Sequence, residues 1–239
     1  MEIISIKTRL FKENENLFQF IIDNIPVVEE GYIIVITSKV VALSQGRTEN
    51  IKNKEEVIIK NSQKIIKTPW ALLTLTNGGW CINAGVDESN ADHKIILLPN
   101  NIFKTAELLR NKISKHFKLK NIGILITDTK SLPLRMGTVG RAVGFAGFEP
   151  FKNYIGKKDL FGKKSRFTKS NIADALSAAA VMNMGEGAEQ IPLAVIKNAP
   201  IKFIARNNIN KKSIKLDILP EDDIYSYIYK DIKTKGNKK

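Results

Sequence analysis

The sequence predicts an α+β (mixed α/β) protein rather than a Rossmann or P-loop sheet, and three observations carry this prediction. Several short runs are rich in β-branched apolar residues, as buried strands are. Two longer segments have the composition or apolar spacing of helices. Strands and helices follow one another without the strict βαβ alternation of a doubly wound sheet. With 239 residues, 43% of them hydrophobic, the chain can bury a sizeable core.

The sequence contains no internal repeat and no low-complexity linker that would mark a domain boundary. We therefore predict one domain over residues 1–225, either undivided or built of two lobes. The remaining residues, 226–239, end in KTKGNKK and are predicted to form a basic tail that frays.

The first elements are predicted from residues 33–67. Residues 33–38, IIVITS, are β-branched and predict a buried strand. The following KVVALSQGR is ambiguous between a strand and a short helix. Residues 54–67 have apolar residues at helical spacing and stop before Pro69, so they predict a helix.

The next segment predicts a hairpin, a short strand and a helix. Residues 72–85 read as a β-hairpin that turns at Asn77-Gly78-Gly79. Residues 94–99, KIILLP, predict a short strand. Residues 101–118 predict an amphipathic helix. Its apolar face contains Ile102, Ala106, Leu109 and Ile113.

The second half begins with residues 121–129, NIGILITDT, an apolar strand that ends in polar residues. A Gly-rich segment follows at 135–148, and no strand or helix is predicted for it. Residues 152–164 predict a polar, lysine-rich loop.

The last predicted elements are an Ala-rich helix and a strand. Ser170 is a credible N-cap for the helix over residues 171–184, and Gly185 would end it. Residues 191–196, IPLAVI, predict a strand.

The net charge of +14 would ordinarily suggest a nucleic acid or another polyanion as partner. Here the lysines are spread evenly and accompany many Asn and Ile residues, which is typical of AT-rich codon usage. The sequence has no zinc-finger spacing and no recognition-helix pattern. A small phosphorylated ligand is therefore the favoured partner, and nucleic acid is not expected.

The sequence also indicates a compartment. No stretch reaches the roughly 18 consecutive apolar residues of a membrane helix, and the first residues, MEIISIKTRLFKE, lack the features of a signal peptide. The single cysteine, Cys81, excludes an internal disulfide and a cysteine-rich zinc site. We expect a cytoplasmic protein without a membrane partner.

Three separate turns carry acidic residues. Asp128 follows a predicted strand and suits a metal ligand, although alone it would more often start a turn. Residues 83–90, NAGVDESN, read equally well as a polar loop or as one wall of a metal site. In residues 184–190, MGEGAEQ, Glu186 could reach a metal, but a C-cap followed by a solvated acid explains the segment as well.

Familiar phosphate and hydrolase motifs are missing from the sequence. Residues 156–165, GKKDLFGKKS, have the wrong glycine spacing for a Walker A loop, and no GxGxxG opens a helix after a strand. His93 and His116 have no partner at metal-ligand spacing. No nucleophile elbow supports Ser/His/Asp hydrolysis.

Seven sequence blocks occur in a distinctive order: NAGVDESN, LLP, an ITDT strand end, RxGxxGxAxGxAG, YIGxxDLFG, ADALSAAAxxxMGEG and IPxAVI. In this order they closely resemble the coenzyme F420-0:L-glutamate ligase (gamma-glutamyl ligase) family, over residues 3–196. The resemblance implies a mixed α/β fold specific to that family and a homodimer. It also implies GTP-dependent addition of L-glutamate to a carboxylate of a cofactor precursor, with Mg²⁺ or Mn²⁺ and often potassium.

The resemblance also implies a set of site residues. Asp87 and Asp128 match ligands of one metal, and Thr129 and Glu186 match ligands of a second. Catalytic roles are implied for Asp87, Asp128 and Arg135; Arg141 would hold substrate carboxylates or phosphate, or else lie at the surface. Nucleotide contacts are implied for Thr8, Arg9, Leu10, Phe11, Ser38, Asn90, Met184, Gly185, Glu186, Gly187, Ala188, Glu189, Gln190 and Ile191.

The chain departs from the family pattern at three places. Leu43 stands where the family usually has a lysine for nucleotide phosphate, and Lys39 is a nearby substitute. Ser131-Leu132 replaces a Gly-Arg pair, which puts the choice of acceptor in doubt. Arg9-Leu10 replaces a Leu-Pro pair in the first loop.

Two functional hypotheses follow. The leading one is an L-glutamate ligase that acts on coenzyme F420-0 or on a folate- or pterin-type acceptor through an acyl phosphate. The second is a catalytically idle protein that binds a nucleotide or a polyanion, motivated by Leu43, the lost Gly-Arg pair and the +14 charge.

Overall fold

The computed structural model describes residues 1–76, 79–204, 216–218 and 222–229. These residues form a mixture of helices and strands, as the sequence predicts. Within these ranges, no helix is both long and apolar enough to cross a membrane.

Six α-helices and twelve strands are defined among the described residues. The helices are α1 (Leu17–Asn24), α2 (Ser38–Ser44), α3 (Lys54–Lys60), α4 (Ile102–Phe117), α5 (Ile172–Met184) and α6 (Ser226–Tyr229). The strands are β1 (Glu2–Ile6), β2 (Ile33–Thr37), β3 (Thr48–Asn50), β4 (Lys64–Lys67), β5 (Leu72–Thr76), β6 (Gly79–Ile82), β7 (Lys94–Ile96), β8 (Gly123–Ser131), β9 (Thr138–Ala146), β10 (Phe151–Asn153), β11 (Lys169–Asn171) and β12 (Leu193–Lys197). Two short 3₁₀ turns lie at Ile51–Asn53 and Asn83–Gly85.

The main sheet has five strands in the order β1-β12-β2-β8-β9. Only β2 and β8 pair in parallel, and the other neighbours are antiparallel. Smaller sheets are formed by β3 with β7, by β10 with β11, and by β4, β5 and β6 in that order. This arrangement is mixed, which confirms the predicted fold class.

Helices cover both faces of the main sheet. Side chains of α1 and α4 pack with alternate residues of β2, such as Ile34, on one face. Side chains of α5 pack with the intervening residues, such as Ile33, on the other. Because both faces are buried, β2 is apolar throughout its first four residues. This explains why IIVI has no alternation of polar and apolar residues.

The long helices agree with the sequence analysis. The face of α4 that was predicted to be apolar includes the buried Ala106, Leu109 and Ile113. Gly185 ends α5 with a φ of 83°, a backbone conformation that side chains rarely adopt. The ambiguous KVVALS segment forms the helix α2.

The predicted helix over residues 54–67 is wrong in its second half. The helix ends at Lys60, and residues 64–67 form β4, which pairs with β5. Ile65 and Ile66 continue the helical spacing of the apolar residues, but cross-strand pairing with Thr74 and Leu73 determines their conformation.

The predicted N-cap at Ser170 is also wrong. Asn171 caps α5, because its side-chain oxygen accepts a hydrogen bond of 3.0 Å from the Asp174 amide. Ser170 lies in β11 opposite Lys152. The cap is therefore shifted by one residue.

The Gly-rich segment contains a strand that the sequence analysis missed. Residues 138–146 form β9, an edge strand of the main sheet. Gly140 allows α5 to approach β9, since an added Cβ would lie 2.6 Å from the Ser177 carbonyl oxygen and 2.7 Å from the Val181 Cβ. Glycine at this position is needed for the packing of α5 on β9. Because glycine is uncommon within strands, it also hides the strand in the amino-acid sequence.

Some predictions concern residues outside the described ranges. The expected hairpin is present as β5 and β6, but Asn77 and Gly78 of its turn lie outside those ranges. Of the tail at 226–239, the structure describes Ser226–Tyr229 alone, which form the turn α6. The division of residues 1–225 into one unit or two lobes stays a prediction.

Replacing Gly140 by alanine tests the close contact between α5 and β9. Gly140→Ala should lower the free energy of unfolding by about 1–3 kcal/mol, because the methyl group overlaps backbone and side-chain atoms of α5. Urea denaturation measures this change. Gly187→Ala is the control, since its nearest atom, Glu189 Oε2, is 3.4 Å away. Equal free energies of unfolding for the two variants would show that α5 and β9 do not approach each other closely at Gly140.

Candidate functional site

Asp128 is held at one edge of the main sheet. The parallel pairing of β2 with β8 ends at Thr37 opposite Thr127, so the residues that follow both strands lie at the same edge. The hydroxyl of the buried Ser38, the first residue of α2, donates a hydrogen bond of 3.3 Å to Asp128 Oδ1. Two of the predicted site residues therefore meet directly.

Asp87 lies just beyond the 3₁₀ turn Asn83–Gly85. Its backbone exchanges hydrogen bonds of 2.9 and 2.8 Å with Ile96, which anchors the loop to the end of β7. Its Oδ1 accepts hydrogen bonds from the Ser89 amide at 2.7 Å and from the Ser89 hydroxyl at 2.8 Å. The Lys39 ammonium lies 2.9 Å from Oδ2. The carboxylate is thus fixed in one orientation.

The third acidic turn follows α5. Glu189 closes this turn, since its Oε2 accepts a hydrogen bond of 2.7 Å from the Gly187 amide. A side chain at Gly185 would displace the Glu189 carboxyl group from its present position, and the positive φ of Gly185 disfavours a side chain in any case. Glu186 accepts a hydrogen bond from the Thr129 side chain. This contact joins the turn to β8.

Hydrogen bonds bring the three turns together. Asn90 Nδ2 donates to the Gly187 carbonyl oxygen at 3.1 Å, which joins the Asp87 loop to the Glu186 turn. The Thr8 amide donates to the Gln190 carbonyl oxygen at 3.0 Å, which adds the first loop of the chain. Segments far apart in sequence therefore form one candidate site.

The pKa values of the acids reflect their proximity. Burial raises the pKa of Asp128, and the charge of Asp87 adds to this effect; Arg141, the Thr129 backbone and Ser38 act against it. Partial burial also raises the pKa of Glu186, together with the charges of Asp128 and Asp87. The site therefore concentrates negative charge.

Lys39 brings a positively charged ammonium group into this acidic site. Burial disfavours the charged form of Asp87, but hydrogen bonds and charge from Lys39 and hydrogen bonds from Ser89 outweigh it and lower the pKa of Asp87. The Lys39 ammonium also donates to the Ser89 carbonyl oxygen at 2.8 Å. Leu43 lies one turn later on α2 and packs against Ala42, Ala91 and Ile96.

Residues of the first loop contact other residues of the protein. Arg9 forms an ion pair with Glu15, which lowers the pKa of Glu15 to about 2. Phe11 packs edge-to-face against Phe20 with ring centroids 4.9 Å apart. Leu10 is exposed. The nucleotide roles of these residues stay predictions.

The remaining predicted nucleotide contacts differ in exposure. Met184 is buried in the core, and Ile191 is partly buried against the same cluster. Ala188 and Gln190 are exposed, like the other residues of the turn from Gly185 onward.

The structure separates the two arginines of the sequence analysis. Arg135 lies in the exposed connection between β8 and β9, beyond the last residue pair, Ser131 with Thr138. Arg141 lies directly opposite Asp128 in the antiparallel pair and lowers its pKa. Sequence reasoning left Arg141 open because it had not assigned β9 to a strand.

The predicted metal ligands have suitable chemistry. Asp87, Asp128, Thr129 and Glu186 offer carboxylate and hydroxyl oxygens, which hard cations prefer. The mutual repulsion of the three acids would be relieved by a cation between them. Among the residues that the structure describes, no three His, Cys, Asp or Glu side chains form a ready metal-binding group. Magnesium usually takes one or two carboxylates and completes its shell with substrate phosphates.

Comparison with known proteins identifies similar sequences. The sequence profile of the family described as F420-0:Gamma-glutamyl ligase matches residues 5–198. A protein named Coenzyme F420:L-glutamate ligase from Methanosarcina mazei is 34% identical, with 80% of this chain and 83% of the relative covered. Proteins of the same name from Methanococcus maripaludis and Archaeoglobus fulgidus are 33% and 31% identical. The alignments cover 94% and 79% of this chain, and 97% and 83% of those relatives.

Removing the Lys39 charge tests the electrostatics of the site. In Lys39→Met the pKa of Asp87 should rise, because burial persists after the ammonium is lost. Carbon-13 NMR titration of the Asp87 carboxyl group in metal-free protein measures the shift. Lys54→Met is the matched control, since Lys54 pairs with Glu88 instead. An unchanged Asp87 pKa in Lys39→Met would show that the ion pair does not form.

Proposed function

The chain belongs to the F420-0:Gamma-glutamyl ligase family, and on that premise we propose that it joins L-glutamate to a carboxylate of a cofactor-type acceptor. The acceptor is coenzyme F420-0 or a folate- or pterin-type molecule that ends in a carboxylate. GTP supplies the energy and is converted to GDP and phosphate. The observation that carries the proposal is the convergence of Asp87, Asp128 and Glu186 from three distant segments, which the Asn90–Gly187 hydrogen bond and the mutual effects of the three acids support.

The chemistry requires activation of the acceptor, because a carboxylate oxygen is a poor leaving group. The γ-phosphoryl group of GTP passes to this oxygen and gives an acyl phosphate. The glutamate nitrogen, after losing a proton, attacks the acyl carbon. A C–N bond forms, the bond from carbon to the phosphoryl oxygen breaks, and phosphate leaves. This sequence yields one amide for each GTP.

The residues of the site have separate roles in this proposal. Mg²⁺ or Mn²⁺ would be held by Asp87, Asp128, Thr129 and Glu186. We propose potassium as a further ion. The test below uses Mg²⁺ or Mn²⁺ as the divalent ion. When bound, a divalent cation supplies neutralising charge for the nucleotide phosphates. Asn90 and the turn at 184–191 border the nucleotide. The hydrogen bond from Asn90 Nδ2 to the Gly187 carbonyl oxygen supports this assignment.

Lys39 provides the positive charge that Leu43 lacks. The two residues lie four apart on α2, so both side chains leave the same side of the helix. Lys39 reaches the Asp87 loop, whereas Leu43 packs against apolar neighbours. This geometry supports Lys39 as the lysine that contacts nucleotide phosphate.

We also propose that the chain forms a homodimer. Leu134 and Met136 at the end of the β8–β9 hairpin are fully exposed, and Leu160 and Phe161 in the loop at 152–164 are almost so. Such exposed apolar side chains are often covered by a partner. Sedimentation velocity should give one species of about twice the chain mass at micromolar concentration. A species of single-chain mass would refute the dimer.

Asp128→Asn tests the role of the central acid. The variant should lose glutamyl transfer by a factor of at least about 100 while it keeps its fold, because one charge of the site is lost and the side-chain shape is retained. The measurement is mass spectrometry of the acceptor after incubation with GTP, Mg²⁺ or Mn²⁺, potassium and L-glutamate. A gain of one glutamyl unit identifies the acceptor and the reaction together.

The control for this experiment is Asp23→Asn, an exposed acid on α1 that lies outside the seven sequence blocks. It should retain full activity. Unchanged activity of Asp128→Asn would refute the role of Asp128. If the wild-type protein consumes no nucleotide with F420-0 or with any folate-type acceptor, the alternative of a catalytically idle binding protein is correct.

A further inference from the structure

A second charged cavity lies beside the candidate site. It has a volume of about 310 Å³ and lies between the β8–β9 hairpin, the first half of α5 and a short segment near residue 217. Its lining combines charged and apolar side chains. The charged residues are Lys130, Arg141, Asp174 and Asp217, and apolar residues among the others are Leu132, Val139, Ala178 and Leu216. We name this cavity the hairpin pocket.

The charged residues of the hairpin pocket form one electrostatic group. Burial raises the pKa of Asp217, and the charges of Arg141 and Lys130 act against this shift. Burial and the charge of Arg141 lower the pKa of Lys130, and the charge of Asp217 acts against that shift. Lys130 and Arg141 are partly buried. Attraction between charges is stronger in such surroundings than in bulk water. The pocket therefore offers cations and an acid that can act on the same small ligand.

Asp174 has a structural role in the pocket. Its Oδ1 accepts a hydrogen bond of 2.9 Å from the Ala142 amide, and its Oδ2 accepts one of 2.6 Å from Asn171 Nδ2. These bonds join the start of α5 to β9. Because both of its oxygens are engaged within the protein, Asp174 is not the group that recognises a ligand. The other charged residues of the lining are Lys130, Arg141 and Asp217.

The hairpin pocket adjoins the acids of the candidate site. Arg141 is the cross-strand partner of Asp128. Lys130 lies two residues after Asp128 on the same strand and points to the same side, roughly 6–7 Å along it. A molecule in the pocket therefore has one end close to Asp128.

We propose that the hairpin pocket binds L-glutamate, the amino-acid substrate. This inference rests on the function proposed above. Glutamate carries two carboxylates and one ammonium group. Lys130 and Arg141 provide two cations for the carboxylates, and Asp217 provides an acceptor for the ammonium group. The volume lies at the lower end of the range for small-molecule sites, about 300–1,000 Å³, which suits an amino acid better than a multi-ring cofactor.

The pocket therefore separates the two organic substrates. The amino acid enters between the hairpin and α5, and the end of the pocket that contains Arg141 lies nearest Asp128. The acceptor and the nucleotide occupy the side of Asp128 that faces the Asp87 loop and the Glu186 turn. Arg141 lies at the boundary between the two parts.

Equilibrium binding tests the inference without requiring turnover. Isothermal titration calorimetry of L-glutamate into the full chain with GTP and Mg²⁺, but without acceptor, measures the affinity. Asp217→Asn and Lys130→Gln should each weaken binding of L-glutamate by roughly tenfold or more, because each removes one charged hydrogen-bonding partner. Neither variant should change the affinity for GTP by more than about twofold. L-glutamine, which lacks one carboxylate, should bind the wild-type protein more weakly than L-glutamate.

The matched controls are Asp222→Asn and Lys169→Gln, which neutralise exposed residues outside the pocket. Both should bind L-glutamate as the wild type does. Circular dichroism shows whether all four variants fold. Unchanged affinity in folded Asp217→Asn and Lys130→Gln would overturn the inference, and so would a wild-type protein that binds no L-glutamate.

The same variants distinguish this inference from the proposed function. If the wild type glutamylates an acceptor and the KM for glutamate is unchanged in Asp217→Asn, the pocket assignment is wrong and the function stands. If L-glutamate binds and the variants lose it, but no acceptor is ever glutamylated, the pocket stands and the function is wrong.

Discussion

The parallel pairing of β2 with β8 is the constraint on which the candidate site depends. It aligns Thr37 with Thr127, so that Ser38 and Asp128 follow at one edge of the sheet. Ligands of open sheets with parallel strands bind beyond the carboxyl ends of those strands. The buried apolar residues of β2 and β8 hold this pair rigidly between helices on both faces.

The site collects more negative charge than its protein cations balance. Burial and the charges of neighbouring acids raise the pKa of Asp128 and Glu186. Lys39 lowers the pKa of Asp87, and Arg141 acts against the shift of Asp128. Such an arrangement costs stability in the empty protein and favours a ligand that brings positive charge. A divalent cation with nucleotide phosphates meets this need, because the cation satisfies the acids and the phosphates satisfy Lys39. The electrostatics thus agree with the proposed reaction.

Local patterns in the sequence predicted β2 and the long helices, because their apolar spacing depends on neighbouring residues alone. They did not predict β4, where long-range pairing with β5 overrides helical spacing, or β9, where Gly140 serves contact with α5. The three acidic turns are each typical of ordinary loops. Only their order within the family's blocks indicated a common site. Asp217 had no sequence signal, since its relation to Arg141 arises only in the folded chain.

The central claim is that three turns from distant parts of the chain hold one metal-nucleotide site. Anomalous diffraction from crystals grown with Mn²⁺ and GTP tests it most directly, because manganese scatters anomalously and the protein's light atoms hardly do. The account predicts an anomalous peak within about 2.5 Å of a carboxylate oxygen of Asp128, with Asp87 or Glu186 as a further ligand or neighbour. A manganese peak only elsewhere on the protein, or ordered GTP away from Asp128, would contradict it.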